Sequence, residues 1–254
     1  WGVNLSYLLE GLTYFGIVGL LAIYFNDYVG LNDIDAGQMV GFQTAGITLA
    51  MLFLGATVDI LGARKALLIS LTIMLVGRVL LAVGPAITGT QGMWSSAHLI
   101  AMGGILGIVI GYGIYMPACY SAVKYFTTEK TSAMGYAMLY ALMNLGGFLP
   151  GLISPPLRRA FGITGVFWVY AALTVAGILA VAIILTKKAM SDAMASTGWS
   201  NKTKEATETK KPLKEQIGYY IKHFPIRDYR FMFFIFILIP VQTLFAHNWL
   251  TLPQ

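Results

Sequence analysis

Charge is what this sequence has least of. Asp, Glu, Lys and Arg make up 11% of its 254 residues, against about 25% in soluble domains. So thin a supply cannot cover a water-facing surface, which excludes a soluble globular domain. Cysteine is scarcer still. Cys119 stands alone, so neither an intrachain disulfide nor a cysteine-based metal site is available. The histidines His98, His223 and His247 lie far apart and lack metal-ligand spacing. No Gly-x-Ser-x-Gly, His-Glu-x-x-His or Walker pattern occurs. These absences predict no enzyme, no metal and no cofactor. The sequence does not open on Met and shows no cleavable signal peptide. Both ends read as cuts in a longer polypeptide.

What the sequence does have is apolar length. Hydrophobic residues reach 57% and mean hydropathy is +0.71. A helix crosses the bilayer core with about 20 apolar residues. Seven segments qualify: 5–26, 37–58, 66–84, 98–122, 132–154, 165–186 and 231–250. The expected fold class is therefore an all-α integral membrane protein of about seven transmembrane helices. Residues 1–186 form a six-helix half, 187–230 a basic linker, and 231–254 a further transmembrane helix.

The formal net charge of +6 sits between hydrophobic blocks. It points to topology and anionic lipid rather than nucleic acid. Loops 59–65 and 123–131 and segment 187–230 carry two, two and ten of the 17 Lys and Arg. All three fall on one side of the membrane, and the positive-inside rule makes that side cytoplasmic, residue 1 included. Arg158 and Arg159, in the expected loop 155–164, are the exception on the opposite side. In the linker, 191–211 reads as flexible. In 213–224, Leu213, Ile217, Tyr220, Ile221 and Phe224 share one helical face. That pattern predicts an amphipathic helix lying on anionic lipid.

The strongest local motif joins the second and third spans: Gly55-Ala-Thr-Val-Asp59-Ile-Leu-Gly62-Ala-Arg64-Lys65. It resembles the signature loop of the major facilitator superfamily. The resemblance implies that fold in part, six helices plus the seventh, with Gly55, Asp59, Gly62, Arg64 and Lys65 as a conformational gate. A second likeness is to the proton-dependent oligopeptide transporters. Glu10-Gly-Leu-Thr-Tyr14-Phe15-Gly16 is similar to their first-helix motif. Gly111-Tyr-Gly113-Ile-Tyr-Met116-Pro117 is similar to that of the fourth helix, and Tyr140-Ala-Leu-Met-Asn144-Leu-Gly146 to that of the fifth. Three of the family's four coupling charges are replaced: its first Glu aligns with Tyr7, its Arg with Gly11 and its fourth-helix Lys with Met116. Only Glu10 survives.

An intramembrane carboxylate is a functional candidate because its burial is costly. Tyr7, Glu10 and Tyr14 share a helical face, which is the expected cavity wall. Tyr112, Met116, Asn144 and Gln242 complete the candidate substrate or proton site. Glu10 counts nearer the inner end of its span and Arg78 nearer the outer end of the third. Arg78 is therefore expected to snorkel outward or meet another subunit. Gly103, Gly107 and Gly111 form a small-residue stripe for close helix approach. The expected function is a secondary transporter of a small, peptide-like solute, in a bacterial inner membrane. The alternative is a non-transporting subunit of a larger membrane complex, with other membrane subunits as partners.

Overall fold

The computed structural model describes residues 2–87, 89–198, 218, 228–230, 232–234 and 236–237. It divides into Trp1–Lys202 and Thr203–Gln254. The first unit holds helices α1 (Gly2–Tyr24), α2 (Asp33–Leu54), α3 (Thr57–Leu61), α4 (Ala63–Ile87), α5 (Ser96–Phe126), α6 (Ser132–Ile184) and α7 (Lys187–Ser196). α1 winds on as a π-helix over Phe25–Val29 and stops at Gly30, whose φ of 76° suits a residue without Cβ. In the second unit, 229–230, 232–234 and 236–237 are helical. Apart from Gly218, which is helical, the expected amphipathic helix 213–224 lies outside the described residues, as do most of the expected span 231–250 and Gln242.

Among the described residues, five helices are long and apolar enough to cross a membrane. One of them, α6, has 53 residues, or ~80 Å at 1.5 Å per residue, far more than the ~30 Å bilayer core. Gly162 divides it, with φ 70° and ψ −178°. The limbs 132–161 and 163–184 thus correspond to the expected fifth and sixth spans. The break falls within the expected loop 155–164 but takes up a single residue of it. Pro150, Pro155 and Pro156 all lie inside the helix, so Arg158 and Arg159 ride on a helical turn rather than in a loop. Proline removes a backbone donor, yet it is tolerated in membrane helices whose neighbours satisfy the freed carbonyls. A second correction concerns 191–196, expected to be flexible but helical within α7. Thr186 caps that helix by accepting from the Ala189 amide at 3.1 Å. Thr197 donates to the Tyr125 carbonyl at 3.0 Å and so ties its end to α5.

α1 packs chiefly on α6, α4 on α5, and α2 lies along α5. The core between them includes Leu21, Tyr24, Leu67, Leu71, Met74 and Phe167, all fully buried. Backbone approach sets the spacing. A Cβ on Gly104 would stand 2.7 Å from the Gly77 carbonyl oxygen. One on Gly146 would stand 2.8 Å from the Leu12 amide nitrogen. Such glycines let membrane helices pack without a hydrophobic driving force between them. The stripe read from the sequence is partly displaced. Gly107 and Gly111 do face α4, but a Cβ on Gly103 would reach only Leu80 at 4.0 Å. Gly104, outside the stripe, makes the contact.

Candidate functional site

α1 carries Tyr7, Glu10 and Tyr14 at spacings of three and four, which stacks them on one face. That face turns into the bundle. Tyr7 and Glu10 are both 2% exposed, and Tyr14 is half-buried. Glu10 Oε2 accepts from Arg78 Nη1 at 3.0 Å, and Oε1 accepts from Arg78 Nη2. Tyr112 donates to Oε1 at 2.7 Å. Arg78 Nη1 also donates to Thr174, whose hydroxyl donates to the Tyr170 carbonyl at 2.9 Å. Tyr170 and Ser154 share a hydrogen bond between their hydroxyls. A polar chain therefore runs from α5 through α1 and α4 into both limbs of α6.

This corrects the reading of Arg78. It is fully buried and pairs with Glu10 in the salt bridge found among the described residues. Only the Cα atoms of the two residues lie at different depths. Long helical side chains lean toward the helix N-terminus, so Arg78 reaches down toward Glu10 instead of out to solvent. The energetics favour this strongly. Either group alone in a low-dielectric interior is expensive, and a bidentate pair with further hydrogen bonds offsets that desolvation. The signal was available in the sequence, because an ionisable residue inside a span is usually paired.

The three positions that lack the expected charges are close together. Tyr7 donates to the Met116 sulfur at 3.5 Å, so two of them touch each other across α1 and α5. Gly11 sits against Met143 and Gly146, and a Cβ there would already lie 3.2 Å from the Met143 sulfur. A side chain at position 11 would have to displace the Met143 thioether. Around them Tyr7 stacks on Tyr115, Ser6 bonds the Tyr115 hydroxyl at 2.9 Å, and Tyr14 packs edge-on to Tyr112. Asn144 is exposed and donates to its own helix at the Tyr140 carbonyl, 2.8 Å away.

The loop of Gly55–Lys65 begins beside α5, where a Cβ on Gly55 would lie 3.5 Å from Pro117. Gly55 closes α2, its amide donating to Met51 O at 3.0 Å. Asp59 is exposed on α3, and Gly62 turns the chain with φ 78°. Arg64 Nε donates to the Leu185 carbonyl and Nη2 to Ala182 at 3.4 Å. A cation thus satisfies open carbonyls at the end of α6, where the helix dipole favours it. Lys65 is exposed. Among the described residues no group of His, Cys, Asp and Glu could hold a metal ion.

The sequence profile of the Major Facilitator Superfamily matches residues 3–252. Dipeptide and tripeptide permease A of Salmonella typhi is 25% identical over 176 residues, which cover 68% of this chain and 32% of the permease. The chain thus spans about a third of the length of that relative. A bacterial homologue of the human drug peptide transporters PepT1 and PepT2 superposes with a TM-score of 0.65 at 20% identity, covering 75% of this chain and 42% of that one. The peptide transporter POT in complex with sulfate superposes with a TM-score of 0.66 at 18% identity, over 94% and 46%. These proteins are named as permeases and transporters, not enzymes.

Proposed function

The chain belongs to the Major Facilitator Superfamily, and on that premise we propose that it is the first half, with the seventh helix, of a secondary transporter. It would carry a small, peptide-like solute across a bacterial cytoplasmic membrane by alternating access. The observation that carries this reading is the likeness to a dipeptide and tripeptide permease over 68% of the chain. Tyr7, Tyr14, Tyr112, Met116, Asn144 and Gln242 are the proposed solute-facing groups, with Glu10 as the charge among them. The loop of Gly55, Asp59, Gly62, Arg64 and Lys65 is the proposed cytoplasmic gate. The excess of Lys and Arg in 187–230 supports an N-terminus on the cytoplasmic side and a linker resting on anionic lipid.

Proton coupling would differ from that of the oligopeptide transporters. Tyr7 and Met116 form a neutral contact where two charges are expected, and the arginine beside Glu10 comes from α4. The test is uptake of labelled dialanine by the full-length protein in proteoliposomes, with and without an inward proton gradient. Saturable uptake that falls in Asp59→Asn and Glu10→Gln supports the reading. Undiminished, gradient-driven uptake in both variants overturns the roles given to these residues. Absence of dialanine and trialanine uptake overturns the substrate class.

The same loss of coupling charges favours a second reading, a non-transporting subunit of a larger membrane complex. Purification in mild detergent separates the two. Stoichiometric co-purification with other membrane subunits supports the complex, and a monodisperse monomer that binds dialanine supports the transporter.

A further inference from the structure

The polar chain that begins at Tyr112 ends at Ser154, and Ser154 opens onto a cavity of about 400 Å³. Leu20, Ser154, Pro155, Arg158 and Arg159 line it. It lies between the later turns of α1 and the Pro-rich part of α6, away from the Arg64 end. Both arginines are exposed, and neither makes an ion pair or hydrogen bond with another described residue. No Asp or Glu occurs between Lys130 and Ser191, so α6 supplies no counter-charge of its own. Two guanidinium groups with no partner among the described residues, on the side that Lys and Arg otherwise avoid, are not explained by topology.

The site has a definite chemistry. Successive helical residues point about 100° apart, so Arg158 and Arg159 flank a shared volume rather than stack. Guanidinium groups match carboxylate and phosphate oxygens in geometry as well as charge. Ser154 adds a hydroxyl. It is 8% exposed and engaged by Tyr170, and when Tyr170 donates, the Ser154 proton is free for a ligand. Leu20 and Pro155 supply apolar wall. An open groove with an apolar wall and a few convergent polar groups can take one end of a small amphiphile.

We infer that this cavity binds the oxyanion, a carboxylate or phosphate, of an amphiphilic ligand whose apolar part lies along Leu20 and Pro155. The inference is about binding and holds for either reading of function. That oxyanion has two sources, a free solute or an anionic lipid headgroup.

The experiment uses the full-length protein in neutral detergent. One arm titrates N-acetylalanine, the other short-chain phosphatidylglycerol, with short-chain phosphatidylcholine as the neutral control. Saturable binding in the first arm identifies a free carboxylate, and in the second a lipid headgroup. In the arm that binds, R158Q/R159Q should weaken affinity at least about tenfold, R158K/R159K should fall between, and added salt should weaken the wild type. Leu20→Trp keeps both charges but fills the cavity, and should abolish binding. Equal binding by wild type and R158Q/R159Q, equal binding of phosphatidylcholine, full binding by Leu20→Trp, or no binding in either arm would each overturn the site. Both arginines are exposed, so an unchanged melting temperature will show that the double variant is folded.

Discussion

The bidentate pair of Glu10 and Arg78 is where a single residue matters most. Glu10→Gln leaves a buried guanidinium without its counter-charge, and breaking such a pair costs about 3–5 kcal/mol. The expected outcome is a lower melting temperature and poor yield. Removing both charges is different, because well-fitted neutral replacements of a buried pair are often close to neutral in stability. The double variant E10Q/R78M should therefore recover the melting temperature. Its uptake of dialanine then separates two roles: recovered transport means the pair only joins helices, and lost transport in a stable protein makes Glu10 a working group. Arg64→Ala is a milder change. It removes a cation from the end of α6, worth about 0.3–1 kcal/mol, and should lower the melting temperature slightly.

At the scale of elements, the bundle depends on places where backbones nearly touch. Gly104→Val should prevent α4 and α5 from closing, since its Cβ would meet the Gly77 carbonyl. Gly103→Val, one residue away, should be tolerated because only Leu80 lies within reach. Similar yield of folded protein from the two variants would disprove this packing. Gly162→Ala places a side chain at φ 70°, a strain of about 1 kcal/mol, and should loosen the joint between the limbs of α6. The sequence made most of these helices legible because each is a long apolar run. It placed the break of α6 within 155–164 but did not show its brevity: only Gly162 leaves the helix, and its φ of 70° is enough to turn the chain. Nor did it reveal Gly104, because a regular stripe at 103, 107 and 111 drew attention to a neighbouring face.

At the scale of the whole molecule, the family was readable from one loop and three helix motifs. The site was readable only in part. Residue spacing placed Tyr7, Glu10 and Tyr14 on one face, but partners from other spans were beyond it. Thr174, Tyr170 and Ser154 meet the pair only through tertiary packing. The proposed orientation can be checked by cysteine labelling. Cys119 is buried, so once any cysteine outside this sequence is replaced by serine, cysteines introduced at Thr90 and Lys130 can be labelled selectively. A membrane-impermeant maleimide added outside cells should label position 90 and spare position 130, and the reverse pattern would invert the topology.

The ion pair also has a consequence for how the protein is made. Its two members are 68 residues apart in the chain, so α1 is synthesised and must enter the membrane well before Arg78 exists. A lone charge opposes insertion by about 2.5–3.5 kcal/mol at a helix centre, which is the upper bound for Glu10 nearer the inner end. Until α4 arrives, α1 holds an uncompensated carboxylate, and until α5 and the second limb of α6 arrive, Tyr112 and Thr174 are missing as well. Chains that stall on the ribosome before α4 should therefore be released from the insertion machinery poorly and degraded early. The feature that steadies the finished bundle is the one that leaves its first helix most exposed to quality control during birth.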